Sequence, residues 1–371
     1  MDPNQEDYSK IGNSDDEYQN ARNLLENGLQ ELLEYGSQLL KKKKFKELNK
    51  FVKEKTRSLS KIDDLKELTP YSLAKLSEEI SNEKEGLKTG WPALDKHIRI
   101  PQEQITIVAG QPSHGKTTIM MNLLLNMVKL YPNQTFLFFS YEENSKHLAI
   151  KSLMNFSEVC LDETSNFSRF EDLIKRGDRS IPEVNNAIER LQLMTDTKRL
   201  WFLDHAPSLE DLLDELEYFS SEYNVGGVFI DYVQKMKSKN CTMDRHKDLQ
   251  YISNELLMAA KSMKIPLIIG AQLEKSKTAE EKVKLDQLRD SGDVEQDANL
   301  ILGVYNKAME KARTGVKITD RLIDITVSVL KNRNGSVNQD VVLRFDRPVL
   351  KIRDFSTKQL ETHCGPKLHI L

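Results

Sequence analysis

The chain has 371 residues, 39% hydrophobic and 30% charged, with a formal net charge of −3. That length suits one large α/β domain with an appendage, or two modest domains, of a soluble protein. The charge excludes a globally basic nucleic-acid-binding surface and leaves such binding to local basic loops. The three cysteines, Cys160, Cys241 and Cys364, lie far apart and form no C-x-x-C, and the seven histidines form no H-x-x-x-H pair. The pattern argues against a zinc site or a disulfide framework and suits a reducing compartment. The first residues, Met1 to Asp7, are acidic without an apolar signal core, and no apolar run reaches the ~18 residues of a membrane span. A cytoplasmic protein with no membrane partner is expected.

Taken in order, residues 1–16 are polar and acidic and are expected to be disordered. From Glu17, apolar residues recur at helical spacing, Ala21, Leu24, Leu25, Leu29, Leu32, Leu33, Leu39 and Leu40, which predicts an amphipathic helix. It runs into Lys41-Lys42-Lys43-Lys44-Phe45-Lys46. We favour a solvated helix face there over a contact with nucleic acid or an acidic partner. A second helical pattern, Leu65 through Leu76 to Ile80, is interrupted by Pro70, so residues 17–84 read as a helical arm.

The composition changes near Glu85, and strands begin to alternate with helices, as in a mostly parallel sheet flanked by helices on both faces. A short apolar strand, Ile105 to Ala109, leads into Gly110-Gln111-Pro112-Ser113-His114-Gly115-Lys116-Thr117, which fits G-x-x-x-x-G-K-[ST]. A breaker-free helical stretch begins at Thr118. Strand, loop and helix together make a phosphate-binding loop spanning Gly110 to Thr118. Glycines let the backbone curl its N–H groups around a polyphosphate at the positive end of a helix, Lys116 neutralises the β- and γ-phosphates, and the Thr117 hydroxyl ligates Mg²⁺. Thr118 reads as a helix residue rather than a second ligand. His114 occupies a variable loop position and is expected to face solvent.

Three further apolar strands end in polar residues. Thr135 to Ser140 leads to Tyr141-Glu142-Glu143, Gly227 to Ile230 ends at Asp231, and Pro266 to Ala271 ends at Gln272. Open α/β sheets place ligands at the carboxyl ends of their strands, so these stretches point to one cleft. An acid closing an apolar strand is a common helix cap, but beside a phosphate loop Asp231 is expected to position Mg²⁺. One of Glu142 and Glu143 is expected to polarise the attacking water; consecutive residues face opposite ways, so both cannot serve equally. Gln272 is placed to sense the γ-phosphate. The stretch from Leu161 to Trp201 reads as helical and charged. Later strands are expected at Leu300 to Tyr305, Ile323 to Leu330 and Val341 to Phe345, with a loose tail over 356–371.

Several segments occur in one order: Thr89-Gly90-Trp91-Pro92-Ala93-Leu94-Asp95, the phosphate loop, Ser140-Tyr141-Glu142, Ile230-Asp231-Tyr232-Val233-Gln234, Ala271-Gln272-Leu273, Leu288-Arg289-Asp290-Ser291-Gly292, Glu295-Gln296-Asp297-Ala298 and Lys331-Asn332-Arg333-Asn334-Gly335. Together they resemble the C-terminal ATPase domain of the DnaB-type replicative helicases, over roughly Glu85 to Phe345. The resemblance implies an α/β fold with a RecA-like P-loop NTPase core over residues 85–355. It further implies a homohexameric ring that hydrolyses ATP with Mg²⁺ between subunits, moves 5′ to 3′ on single-stranded DNA and unwinds the duplex, with primase or loader proteins as partners. By position, Glu142 matches the catalytic glutamate, Asp231 the metal-positioning acid and Gln272 the sensor glutamine. Lys331 and Arg333 match the basic pair reaching the neighbour's γ-phosphate, and Arg289, Asp290 and Gly292 match a DNA-touching loop. Without the family, Arg289 would read as a salt-bridge partner of Asp290 or Asp293.

Departures from the pattern are the short N-terminal region, where the family carries a larger helical domain that binds primase, His114 where the family carries methionine, and Tyr141-Glu142-Glu143 where it carries Leu-Glu-Met. The rivals are a RecA- or RadA-like recombination ATPase forming filaments on DNA, and a ring-forming, nucleotide-regulated scaffold or signalling ATPase. The late position of Lys331 and Arg333 favours the helicase over the filament.

Overall fold

The computed structural model describes residues 14–44, 47–48, 50–52, 55, 85–240, 244–273, 283–285, 287–288, 292–313 and 315–354. The chain divides into two compact units, Met1–Glu83 and Lys84–Leu371. In the first, helix α1 (Ser14–Lys41) begins inside the stretch expected to be disordered. Leu39 is buried, and Tyr35 meets Phe51 edge-on with ring centroids 4.7 Å apart, so the chain after the lysine run packs back on α1. Lys41 to Lys44 are exposed, and Lys44 pairs with Glu47 at 3.0 Å, a surface ion pair of little energetic weight. The helical pattern expected over 65–80 and the tail over 356–371 lie outside the described residues.

The second unit is built on a nine-stranded sheet in the order β3-β2-β4-β5-β1-β6-β7-β8-β9. β1 (Ile105–Gly110), β2 (Thr135–Ser140), β3 (Leu200–Leu203), β4 (Val225–Asp231), β5 (Leu267–Gln272) and β6 (Leu300–Tyr305) run parallel. β7 (Leu322–Asn332), β8 (Gln339–Asp346) and β9 (Lys351–Asp354) continue the sheet antiparallel. The parallel strands are continuous apolar runs because both of their faces are covered. Alternate residues part to the two sides: Val108, Phe136 and Phe138 enter one core, while Ile107, Ala109, Leu137 and Phe139 enter the other.

The first core is closed by α2 (Pro92–Asp95), α3 (Lys116–Leu130), α4 (Ser145–Ser157), α5 (Asn166–Arg176) and α6 (Pro182–Asp196). The second is closed by α7 (Leu209–Glu222) and α8 (Arg245–Met263). Short helices α9 (Gly292–Asp297) and α10 (Lys307–Arg313) flank β6. The stretch read as helical up to Trp201 is corrected at its end, since Leu200 and Trp201 begin β3, which pairs with β2 from Phe136↔Leu200 onward. β9 is a further strand that the sequence does not announce. Both strands have four residues, too few to display a period of their own.

Candidate nucleotide site

The register brings the expected site together. Gly110 on β1 pairs with Gln272 on β5, and Ser140 on β2 pairs with Asp231 on β4, so the loops leave a common edge of the sheet. At the N-terminus of α3, Gly115 has φ +93°, a left-handed conformation that suits glycine, and Ser113 has φ +68°.

Asp231 lies at the centre, 1% exposed. Its Oδ2 accepts from the Thr117 hydroxyl at 2.6 Å. Its Oδ1 lies 3.4 Å from Lys116 Nζ, long for a hydrogen bond, and has no hydrogen-bond partner. A buried, orphaned carboxylate oxygen beside a threonine hydroxyl is a donor set that fits a hard divalent cation, which needs one or two protein oxygens when phosphates and waters supply the rest. Burial lowers the Lys116 pKa, while Asp231 and then Glu142 act to raise it. The ammonium also sits 4.0 Å from the Tyr232 ring centroid. A polyphosphate entering here would meet a lysine already stripped of much of its water, where electrostatic attraction is strong.

The two glutamates have separate surroundings. Glu143 accepts from Lys151 Nζ of α4, at 2.6 Å through Oε2, and its backbone N–H donates to Ser140 Oγ at 2.9 Å. Glu142 is exposed and acts on Lys116. Gln272 is the last residue of β5; β1 flanks its backbone on one side, and on the other Gln234 bridges it. Gln234 Nε2 donates to the Gln272 carbonyl at 3.1 Å, and the Gln272 N–H donates to Gln234 Oε1 at 3.2 Å. This side-chain amide continues the β4 edge where β4 has ended.

Two features of the site are not legible in the sequence as functional. Gln234 enters there only as part of a motif. Gly270 lies on β5, between the strands carrying Asp231 and the phosphate loop, and an added Cβ there would sit 2.8 Å from Asp231 Oδ1 and 3.0 Å from Met120 Sδ. Asp231 reaches α3 across β5 only because Gly270 has no side chain. The one available signal was a glycine inside an otherwise apolar strand, which marks a close approach.

His114 requires a correction. It does not face solvent but is fully buried, with Nδ1 accepting from the Asn306 N–H at 3.2 Å and its ring 5.5 Å from that of Tyr305. Burial holds its pKa below the ordinary value, Arg313 adds to that, and Glu310 opposes it. Ring packing against β6 and α10, invisible in a loop motif, decides its place. Thr118 lies within α3, as read.

Lys331 and Arg333 are not in this cleft. Lys331 pairs with Ile301 near the start of β6, whereas Val304, beside Gly110, pairs with Val327. Four residues of β7 separate the two levels, about 13 Å at ~3.3 Å per residue. Lys331 Nζ donates to the Glu295 carbonyl at 2.6 Å and the Gln296 carbonyl at 3.2 Å, and Arg333 Nη2 donates to the Gln296 carbonyl at 2.5 Å. Burial, and then the Arg333 charge, lower the Lys331 pKa. Arg289 and Asp290 lie outside the described residues; Gly292 begins α9.

The fold and this cluster define a RecA-like P-loop NTPase domain. Residues 86–354 match the family model of the DnaB-like helicase C terminal domain, and the chain belongs to that family. Among curated proteins it is 25% identical over 303 residues to the replicative DNA helicase DnaB of Helicobacter pylori, covering 72% of this chain and 60% of the relative. It is 28% identical over 266 residues to a probable plasmid replicative DNA helicase of Chlamydia psittaci, covering 71% of this chain and 54% of the relative. The chain thus spans little more than half the length of these relatives. Among solved structures, a DnaB-like replicative helicase described with its primase interactions superposes with TM-score 0.69 at 17% identity, over 90% of this chain and 76% of that one. A second solved structure, of an ATPase domain, superposes with TM-score 0.62 at 20% identity, over 76% of this chain and 96% of that one.

Proposed function

We propose that this chain is the ATPase motor of a replicative-type DNA helicase, which hydrolyses ATP at the interfaces of a homohexameric ring, translocates 5′ to 3′ on single-stranded DNA and separates duplex DNA. The observation that carries the reading is the Thr117–Asp231–Lys116 cluster, with a buried carboxylate oxygen that accepts no hydrogen bond, at the edge where β1, β2, β4 and β5 end. Family membership selects the helicase over the filament-forming recombinase and the scaffold.

In this reading Lys116 binds the β- and γ-phosphates, and backbone N–H groups of the loop from Ser113 to Thr117 surround them. Thr117 and Asp231 would hold Mg²⁺, whose chemistry is to neutralise charge building on the phosphates. Glu142 orients water and takes its proton, the choice favoured by the Glu143–Lys151 pair. Gln272, held by Gln234, reports the γ-phosphate to the chain beyond β5. Lys331 and Arg333 serve the site of the adjacent subunit, a role supported by their distance from the subunit's own phosphate loop. Arg289, Asp290 and Gly292 contact the DNA backbone. The primase contact named for the solved DnaB-like helicase makes primase a partner to test, together with loader proteins.

A forked-duplex strand-displacement assay, run with and without ATP and beside particle images, tests the whole reading. ATP-dependent displacement by rings is expected. Filaments on DNA, or ATPase without displacement by assembled rings, would overturn it.

A further inference from the structure

The reaction above gives His114 no task, yet the imidazole is wholly buried where the phosphate loop meets β6 and α10. The Asn306 N–H can only donate, so Nδ1 is the acceptor and a neutral imidazole carries its proton on Nε2. That nitrogen lies 3.3 Å from Glu310 Oε2, an electrostatic contact without the alignment of a full hydrogen bond. Glu310 Oε2 also accepts from Arg313 Nη1 at 3.1 Å. Arg313 in turn grips the loop, donating from Nη1 to Gln111 Oε1 at 2.7 Å and from Nη2 to the Pro112 carbonyl at 2.8 Å. A chain of polar contacts therefore leaves the loop at His114, crosses α10 and returns at Gln111 and Pro112.

We propose that α10 is a latch on the outside of the phosphate loop, with Arg313 and His114 as positioning residues that hold the loop in the curvature that receives a nucleotide polyphosphate. This rests on the reading of residues 110–117 as the phosphate site. Ser113 sits at φ +68°, a conformation that a non-glycine residue keeps only when its surroundings fix it, and the residues on both sides of it, Pro112 and His114, are the ones tied to β6 and α10. Pro112 has no N–H to offer a phosphate; its carbonyl is spent on Arg313. The latch thus uses groups the ligand does not need and sets the geometry of those it does.

The test is titration of the assembled protein with a fluorescent ADP in Mg²⁺, with melting of the nucleotide-free protein measured alongside. Arg313→Ala is expected to raise the Kd about tenfold, the scale of losing charge-assisted hydrogen bonds. Arg313→Lys, a single cation without the fork, should fall between Arg313→Ala and the native protein. In a double-mutant cycle, His114→Met with Arg313→Ala should weaken binding no more than the stronger single change, because both release one loop. A native Kd in Arg313→Ala, or in Arg313→Lys should the alanine variant not fold, would overturn the latch, and so would additive losses in the double variant. Lys116→Ala separates the two readings. If it loses binding while Arg313→Ala keeps it, only the latch fails; if it too binds normally, the phosphate-site reading falls and the latch with it.

Discussion

Glu142 and Glu143 are adjacent in the chain, yet Glu142 is exposed and its charge acts to raise the Lys116 pKa, while Glu143 is tied to Lys151. Glu142→Gln should bind ATP but lower kcat by ~10²-fold or more, since an amide keeps the shape and cannot take a proton. Glu143→Gln should change kcat by a few-fold at most. Steady-state ATPase assays on both variants decide it, and reversed severities would move the base to Glu143. Gly270 offers a second test at this scale. Gly270→Ala puts a methyl group 2.8 Å from Asp231 Oδ1 and 3.0 Å from Met120 Sδ, which crowds the carboxylate that accepts from Thr117. Weakened Mg²⁺-dependent hydrolysis is expected, with a stability loss of about 1–3 kcal/mol from overpacking. Denaturant unfolding with the Mg²⁺ dependence of hydrolysis checks both; native values in each would mean Asp231 does not depend on this gap.

At the scale of elements, β9 closes the sheet and carries Lys351, whose amine donates to Asn155 Oδ1 at 3.0 Å and lies 3.7 Å from Glu158. Burial lowers the Lys351 pKa to about 8, against the pull of Glu158, from an ordinary 10.5. The sign follows from proton binding. Between about 8 and 10.5 the unfolded chain holds a proton that the folded chain has released, so folded stability rises with pH across that window. Below about 8 both forms are protonated and the folded state carries the full cost of a desolvated ammonium. In urea unfolding at pH 7 and pH 9.5, the stability of the native protein relative to Lys351→Met should therefore shift in favour of the native protein at the higher pH. A pH-independent difference would show that Lys351 titrates normally.

For the whole molecule, the telling feature is the separation of Lys331 and Arg333 from their own phosphate loop along β7. A guanidinium delivered to the γ-phosphate of the next subunit is worth roughly 10³ to 10⁵ in rate and little in ground-state binding. Arg333→Ala should bind ATP and scarcely hydrolyse it. Mixed with inactive Lys116→Ala subunits, it should recover some ATPase, because one interface then joins an intact loop to an intact finger. No recovery in mixtures that still form rings would remove Arg333 from the shared site.

What the sequence determined by itself was local: a loop whose glycine–lysine spacing has one geometric use, apolar runs long enough to be buried strands, and polar residues at their ends. Such features depend on neighbours along the chain, so the sequence alone places Gly110 to Thr117, Asp231 and Gln272 at one edge. The four-residue strand at Leu200 was too short to carry a pattern, and only pairing with β2 defines it. The rest depended on which side chains meet once the chain is folded. Lys151 engages Glu143, β6 and α10 bury His114, Gln234 splints Gln272, and Gly270 leaves Asp231 its path to Thr117. Apart from the Glu143–Lys151 pair, eight residues apart, each is a contact between segments tens to hundreds of residues apart in the chain, set by sheet order and register, and neither composition nor spacing encodes that order residue by residue.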